Sequence, residues 1–347
     1  MDTLTHALSG ALLARATAPQ DDALPLARRV TLGALAAAFP DIDFVTSYVS
    51  PLTYLYHHRG VTHSLLMLPL WAVAVGFLCA LLYRDRARWH SYALLIGAGI
   101  AIHILGDLIT AFGTMIFAPL SDARIAWSTT FIIDLWFTGI IVAGLLLSAA
   151  WRRSRLPAVA GLAVLCGYVG LQYVQQQRAL EFGAAYAREQ GWRDAVVSAS
   201  PRPVSPYNWM VIVEAGERYR YALVNLRRDV PRTDTDGFIA ALDAAYLPLS
   251  QAAWVDASRF GGSETERAFA REAWSAPGFA FYRWFAAYPA LLKVERNGTE
   301  SCAWFHDLRF LTPGRASWPF RYGHCRDGAG DWRLYRLVGE AVRETVD

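Results

Sequence analysis

The chain has 347 residues, 54% of them apolar and 18% charged, with a formal net charge of +3. That length admits two domains, the apolar share is high for a soluble protein, and so small a charge gives no footing for nucleic acid. The apolar excess is uneven: runs close to the roughly 20 residues that cross a hydrocarbon core of about 30 Å all fall before residue 175.

In chain order, runs 4–18 and 30–43 read as tilted, short or re-entrant helices. The first is not expected to be a cleaved signal peptide, because His6 interrupts its start and no basic region precedes it. Runs 63–83, 91–117, 131–151 and 156–174 read as full spans. The expected fold is an α-helical membrane domain over residues 1–175, with about four clear plus two short transmembrane or re-entrant helices, followed by a soluble α+β domain over 176–347. Arg15, Arg28 and Arg29, then Arg84, Arg86 and Arg88, then Arg152, Arg153 and Arg155 mark three connections. The positive-inside rule makes these cytoplasmic. The expected location is a bacterial-type inner membrane, multi-pass, with the C-terminal domain extracytoplasmic.

Past residue 175 the continuous apolar stretches stop. Segments 209–213 and 219–224 read as strands, Asn297-Gly298 as a hairpin turn between 291–296 and 301–310, and 236–246 and 264–274 as helices. Cys302 and Cys325 either form a disulfide, which suits an oxidising compartment, or stay as buried thiols.

Ionisable groups within spans are costly and usually line a site. His103 and Asp107 are four apart, so a helix puts both on one face, roughly 18 and 24 Å beyond Ser91. Asp41 and Asp43 end the 30–43 run, His57, His58 and His63 precede or open the next, Asp134 opens another, and His6 lies near the start. With the arginines cytoplasmic, all of these share the outer face. Singly, each has an ordinary role available: a core histidine, a helix cap, an ion pair. Together at one depth they point to a metal site, with candidate ligands His6, Asp41, Asp43, His58, His63, His103 and Asp107. Histidine with carboxylate and no thiolate suits zinc, and also manganese or ferrous iron.

Thr5-His6-Ala7, Pro40-Asp41-Ile42-Asp43, His58-Arg59-Gly60-Val61-Thr62-His63-Ser64 and His103-Ile104-Leu105-Gly106-Asp107 together resemble the YdjM-type membrane-bound metal-dependent hydrolases, over about residues 1–175. The order His, Asp, His, then His-x-x-x-Asp is more distantly similar to zinc-dependent phospholipases C and P1-type nucleases, which hydrolyse phosphodiesters at a zinc cluster. That similarity implies one metal held by Asp41 or Asp43 with His63, His103 and Asp107. It implies a second on His6, with Asp107 bridging. Those enzymes carry further histidines and a glutamate, whereas residues 113–130 contain no histidine, so a complete three-metal cluster is not expected.

The expected activity is hydrolysis by a metal that lowers the pKa of its bound water from about 15.7 toward about 7. Asp41 or Asp43, whichever does not ligate, is the candidate general base, and Arg59 could bind an anionic phosphate or carboxylate. A site at leaflet level suggests a lipid or lipid-linked phosphoester, with a peptide or other amide as the alternative. Two rivals stand: a metal-binding transporter or channel, and a membrane scaffold with a structural metal. No protein partner is readable. His306 and Asp307 fall on opposite faces of a strand and read as structural. Trp254, Trp274, Trp284, Trp304 and Trp318 read as core or membrane-facing residues.

Overall fold

The structure, a computed structural model, describes residues 1–19, 24–315, 317–328, 330–339 and 342–346. It divides into two compact units, one made of Met1–Thr46 with His57–Val174 and the other of Ser47–Tyr56 with Gln175–Asp347. The N-terminal half is helical: α1 Thr3–Ala16, α2 Leu26–Ala38, α3 Pro51–His57, α4 Leu68–Leu82, α5 Trp89–Leu108, α6 Leu135–Ala150 and α7 Leu156–Glu189. A 3-10 stretch over Phe39–Tyr48 continues α2, and a 3-10 turn over Val61–His63 precedes α4.

Among the described residues three stretches are long and apolar enough to cross a membrane: Leu26–Tyr48, Arg86–Leu108 and Leu156–Glu189. Counting the bent pair Pro51–His63 and Leu68–Leu82 as one span gives up to four. Large apolar side chains stay exposed along the helices, among them Leu70 and Phe77 on α4, Leu94 on α5, Leu146 on α6 and Val164 on α7. Such a surface suits lipid rather than water.

Helix ends differ from the apolar runs for identifiable reasons. The run 91–117 is helical only to Leu108, because the chain folds back and satisfies the last carbonyls itself. Trp127 N donates to Leu108 O at 2.7 Å, and the amides of Thr129 and Thr130 donate to Ile109 O at 2.9 and 3.0 Å. The run 131–151 becomes α6 only after Asp134, whose carboxylate caps the amides of Trp136 and Phe137. Conversely, α7 continues to Glu189 instead of ending near residue 174.

Close packing of the helical unit rests on small residues. A Cβ on Gly10 would lie 2.2 Å from Gly33 O and 2.4 Å from Ala37 Cβ, so α1 and α2 touch backbone to backbone. Beside them, Ala36 packs with Ile96, Ile100 and Ile104 of α5, and Leu12 packs with Phe137 and Ile141 of α6. One end of this unit is basic. Arg15, at the end of α1, donates to Ser148 Oγ and to the carbonyls of Arg152 and Ser154, while Arg29 at the start of α2 donates to Ala14 O. Arg28 lies over the Tyr83 ring, beside the α4–α5 connection.

The second unit carries two five-stranded sheets. In the first, β1 Val196–Pro201, β2 Asn208–Ala215 and β3 Arg218–Asn225 run antiparallel, and β3 also pairs in parallel with β4 Leu247–Pro248 and antiparallel with β5 Val255–Ser258. The second is an antiparallel meander of β6 Pro289–Asn297, β7 Glu300–Asp307, β8 Tyr322–Asp327, β9 Arg333–Val338 and β10 Val342–Thr345. Helices α8 Phe238–Ala244, α9 Glu264–Ser275 and α10 Ala280–Phe285 complete it. The strands read over 209–213 and 219–224 pair as the hairpin β2–β3, and the hairpin read at Asn297-Gly298 forms as β6–β7, turning at Gly298 with φ of 61°. Cys302 and Cys325 face each other on β7 and β8 and are joined by a disulfide. His306 Nδ1 accepts from Trp318 Nε1, and Asp307 accepts from the amides of Ala287 and Arg309.

Candidate metal centre

Opposite the basic end of the helical unit, four segments converge: the start of α1, the 3-10 stretch after α2, the turn before α4 and the last two turns of α5. The α5 helix brings His103 and Asp107 to one side, as their spacing requires. His63 reaches them because Arg59, at a left-handed φ of 61°, and Gly60 turn the chain so that His63 N bonds Gly60 O at 2.9 Å. Asp41, His63, His103 and Asp107 each offer one donor atom, and these four atoms lie within 4.8 Å of one another.

The surrounding hydrogen bonds fix the histidine tautomers. His103 Nδ1 is 2.6 Å from Ala37 O, an atom that only accepts, so this nitrogen carries the hydrogen. His63 Nδ1 is 3.2 Å from Asp43 Oδ2 and 3.0 Å from Thr62 Oγ1, whose own hydrogen goes to Asp43 Oδ2. With both rings neutral, each keeps a lone pair on Nε2, and these two atoms face each other at 2.9 Å. Two lone pairs at that distance need a positive charge between them.

Asp107 Oδ2 lies 3.3 Å from His63 Nε2 and 3.5 Å from His103 Nε2, is buried and has no hydrogen-bond partner among the described residues. Asp41 Oδ1 is 3.7 Å from both Nε2 atoms. Nitrogen and oxygen ligands around a tetrahedral ion at about 2.0–2.1 Å are about 3.4 Å apart, and the observed separations bracket that value. A single proton would satisfy only one pair of these atoms, whereas a divalent cation satisfies all four. The residues present thus fit a metal.

The supporting contacts follow the pattern in which a ligating histidine hands its second nitrogen to a carboxylate or carbonyl. Asp43 also accepts from Arg59 N at 2.9 Å, and its Oδ1 lies 2.8 Å from His58 Nδ1. Asp43 and His58 thus stand one layer out from the four donors. His6 stacks on His103, with ring centroids 3.7 Å apart, and its Nε2 is 3.1 Å from the other oxygen of Asp107, Oδ1. Gly106 makes room for that ring: a Cβ there would be 3.1 Å from His6 Cε1. Arg59 is buried at 2% exposure, with Nη2 2.8 Å from Asp107 Oδ1 and Nη1 2.9 Å from Thr110 Oγ1. The Met1 amino group also contacts Asp107 Oδ1.

Two residues that the sequence placed on the same face stand outside the cluster: His57 is exposed at the end of α3, and Asp134 caps α6 and accepts from Tyr168 OH and Gln172 Nε2. Three contributors were not singled out from sequence: the Ala37 carbonyl, Thr110, and Thr3, which donates to Asp41 Oδ2 at 2.6 Å. Thr3 lies one helical turn before His6 and Thr110 one turn after Asp107, which is the signal that could have found them. Asp41 is the open side of the group, its side chain 14% exposed against 0% for His63, His103 and Asp107. The thiols of Cys302 and Cys325, beside Glu300 in the second unit, are used by their disulfide.

Comparison with known proteins places the chain in a membrane-protein family. Uncharacterized protein YfhP of Bacillus subtilis (strain 168) is 27% identical over 186 residues, which cover 51% of this chain and 55% of that protein. The chain thus spans about half the length of the curated relative it matches. No solved structure matches it. A family model described as YdjM inner membrane protein matches residues 1–179, a stretch that contains every segment of the His/Asp cluster, and the chain belongs to that family.

Proposed function

We propose that the protein is a membrane-bound metal-dependent hydrolase acting on a phosphoester of a lipid or lipid-linked substrate. The observation that carries the metal is the pair of Nε2 atoms 2.9 Å apart, beside Asp107 Oδ2 and with both Nδ1 atoms turned to acceptors. His63, His103 and Asp107 hold the ion, zinc fitting best and manganese or iron also suited. Such an ion supplies a coordinated water acidified toward neutral pH and a Lewis acid for a phosphoryl oxygen.

The chain's own residues divide the remaining work. Asp41, at the open side, is placed to complete the coordination or to take a proton from water on Oδ1. Asp43 is not, because its two oxygens already face His58 Nδ1, Arg59 N, Thr62 Oγ1 and His63 Nδ1. Exposed Ile42, Phe44, Val61, Leu65, Leu66 and Trp127 lie in the segments that carry or border the site. They would receive the apolar part of a lipid, which supports that substrate class over a water-soluble ester.

A four-donor set also fits a closed structural site. The exposure of Asp41 speaks for an open position instead. Elemental analysis of the detergent-purified protein beside a His103→Ala, Asp107→Ala variant tests the metal, followed by a screen of phosphodiester and phospholipid hydrolysis. Metal in the wild type, lost in the variant together with hydrolysis, is the expected result. Metal without turnover on any phosphoester or amide would leave the structural reading, and no metal after supplementation would end both.

A further inference from the structure

The two oxygens of Asp107 face different partners. Oδ2 points to the paired histidine nitrogens. Oδ1 is crowded by Arg59 Nη2 at 2.8 Å, His6 Nε2 at 3.1 Å and the Met1 amino group. A carboxylate that bridges two metals presents one oxygen to each, and here the place beside Oδ1 is held by a guanidinium.

Arg59 is fixed in that place from both ends. Its backbone amide donates to Asp43 Oδ2 at 2.9 Å, Nη1 donates to Thr110 Oγ1 at 2.9 Å, and its Cζ lies 4.9 Å from the centre of the Phe112 ring. Its guanidinium supplies the positive charge at that place. Among the side chains, Asp41, Asp43 and Asp107 carry three negative charges against the one positive charge of Arg59. One divalent ion makes those side chains neutral, and the Met1 amino group against Asp107 Oδ1 adds positive rather than negative charge. A second ion would leave an uncompensated charge in a desolvated site.

We infer that the centre is mononuclear, with Arg59 a positioning residue that occupies at Asp107 Oδ1 the place of a second cation. His6 then forms a wall stacked on His103 and does not ligate. This rests on the metal reading above and goes beyond it by fixing the number of ions and the role of Arg59.

The test counts ions per chain after equilibration with excess zinc and desalting, for the full chain in detergent. The wild type is expected to hold one ion and His6→Ala also one. Arg59→Met should take up a second, weaker ion that is lost again when His6→Ala is added. Two ions in the wild type would overturn the inference while leaving the metal reading intact, and none would remove both. Arg59→Met folded but still at one ion would show that Arg59 is not what excludes the second. Should Arg59→Met fail to fold, His6→Ala decides alone: loss of the wild-type ion would make His6 a ligand and overturn the proposal.

Discussion

Replacing Asp43 with Asn isolates the contribution of a negative charge placed behind a ligand. Asn keeps the shape of the side chain and one carbonyl oxygen, which can still face Arg59 N, Thr62 Oγ1 and His63 Nδ1, now at 2.9, 3.2 and 3.2 Å from Asp43 Oδ2. Its amide nitrogen would meet His58 Nδ1, which can accept in the other tautomer. The fold of the turn is therefore expected to survive, and what is lost is charge assistance at His63. A hydrogen bond to a charged group contributes about 1.5–3 kcal/mol against about 0.5–1.5 for a neutral one. Removing such a partner typically weakens metal binding about 10–100-fold, or about 1.4–2.8 kcal/mol. Competition against a chromophoric chelator should show zinc bound about 30-fold more weakly, with unchanged stoichiometry and helical circular dichroism. An affinity within about threefold of wild type would refute the orienting role, given that range. Complete loss of the ion would instead make Asp43 a ligand.

Gly10→Ala puts a Cβ 2.2 Å from Gly33 O and so pushes α1 off α2; overpacking of this kind costs about 1–3 kcal/mol, and an unchanged melting temperature in detergent would contradict the close contact. Burial lowers the His306 pKa from 6.5 to about 4, so the unfolded chain binds the proton more readily between those values. Stability is therefore lost as pH falls from about 6.5 toward 4, by about 2 kcal/mol at pH 5; the melting temperature should fall more over pH 7 to 5 in the wild type than in His306→Gln, and equal falls would count against this. The disulfide closes a separation of 23 residues, for which chain entropy gives about 3 kcal/mol. Cys302→Ser is expected to lower the melting temperature, and a non-reducing gel shift should vanish with it. For orientation, alkaline phosphatase fused at the C-terminus should be active and the same reporter in the Arg84 connection inactive; the reverse pattern would invert the topology.

The parts of the fold legible in the sequence were those governed by local rules. The four-residue spacing of His103 and Asp107 needs only a helix, and Asn297-Gly298 needs only a turn with positive φ. Helix ends set by distant partners were not legible. The apolar run through Phe117 looks like a continuing span until residues 127–130 are seen capping Leu108 and Ile109. α7 runs past the polar step at Gln175 because its later residues Ala179, Leu180 and Phe182 pack with Trp209 and Val211 of β2 in a protein core. Arg59 left open a choice between an anion-binding and a solvated side chain, and its burial depends on Asp107 and Thr110, 48 and 51 residues away.

Asp41 and Asp43 show the limit most clearly, since the sequence alone could not say which of them faces the ion. An α-helix turns 200° over two residues and a strand 180°, and neither choice was signalled by Pro40-Asp41-Ile42-Asp43. The chain adopts a 3-10 conformation over Phe39–Tyr48, where three residues make a turn and residues two apart are rotated by about 240°. The two carboxylates leave this backbone about 120° apart and reach different atoms of one ring. Asp41 turns toward the Nε2 side of His63 and Asp43 toward its Nδ1 side. A single histidine is thus held between two aspartates that look interchangeable in the sequence, one on the metal side of the ring and one behind it. Because Asp43 is committed to His58, Arg59 N, Thr62 and His63 Nδ1 while Asp41 faces the Nε2 atoms, substitutions at the two positions are expected to separate metal orientation at Asp43 from chemistry at Asp41.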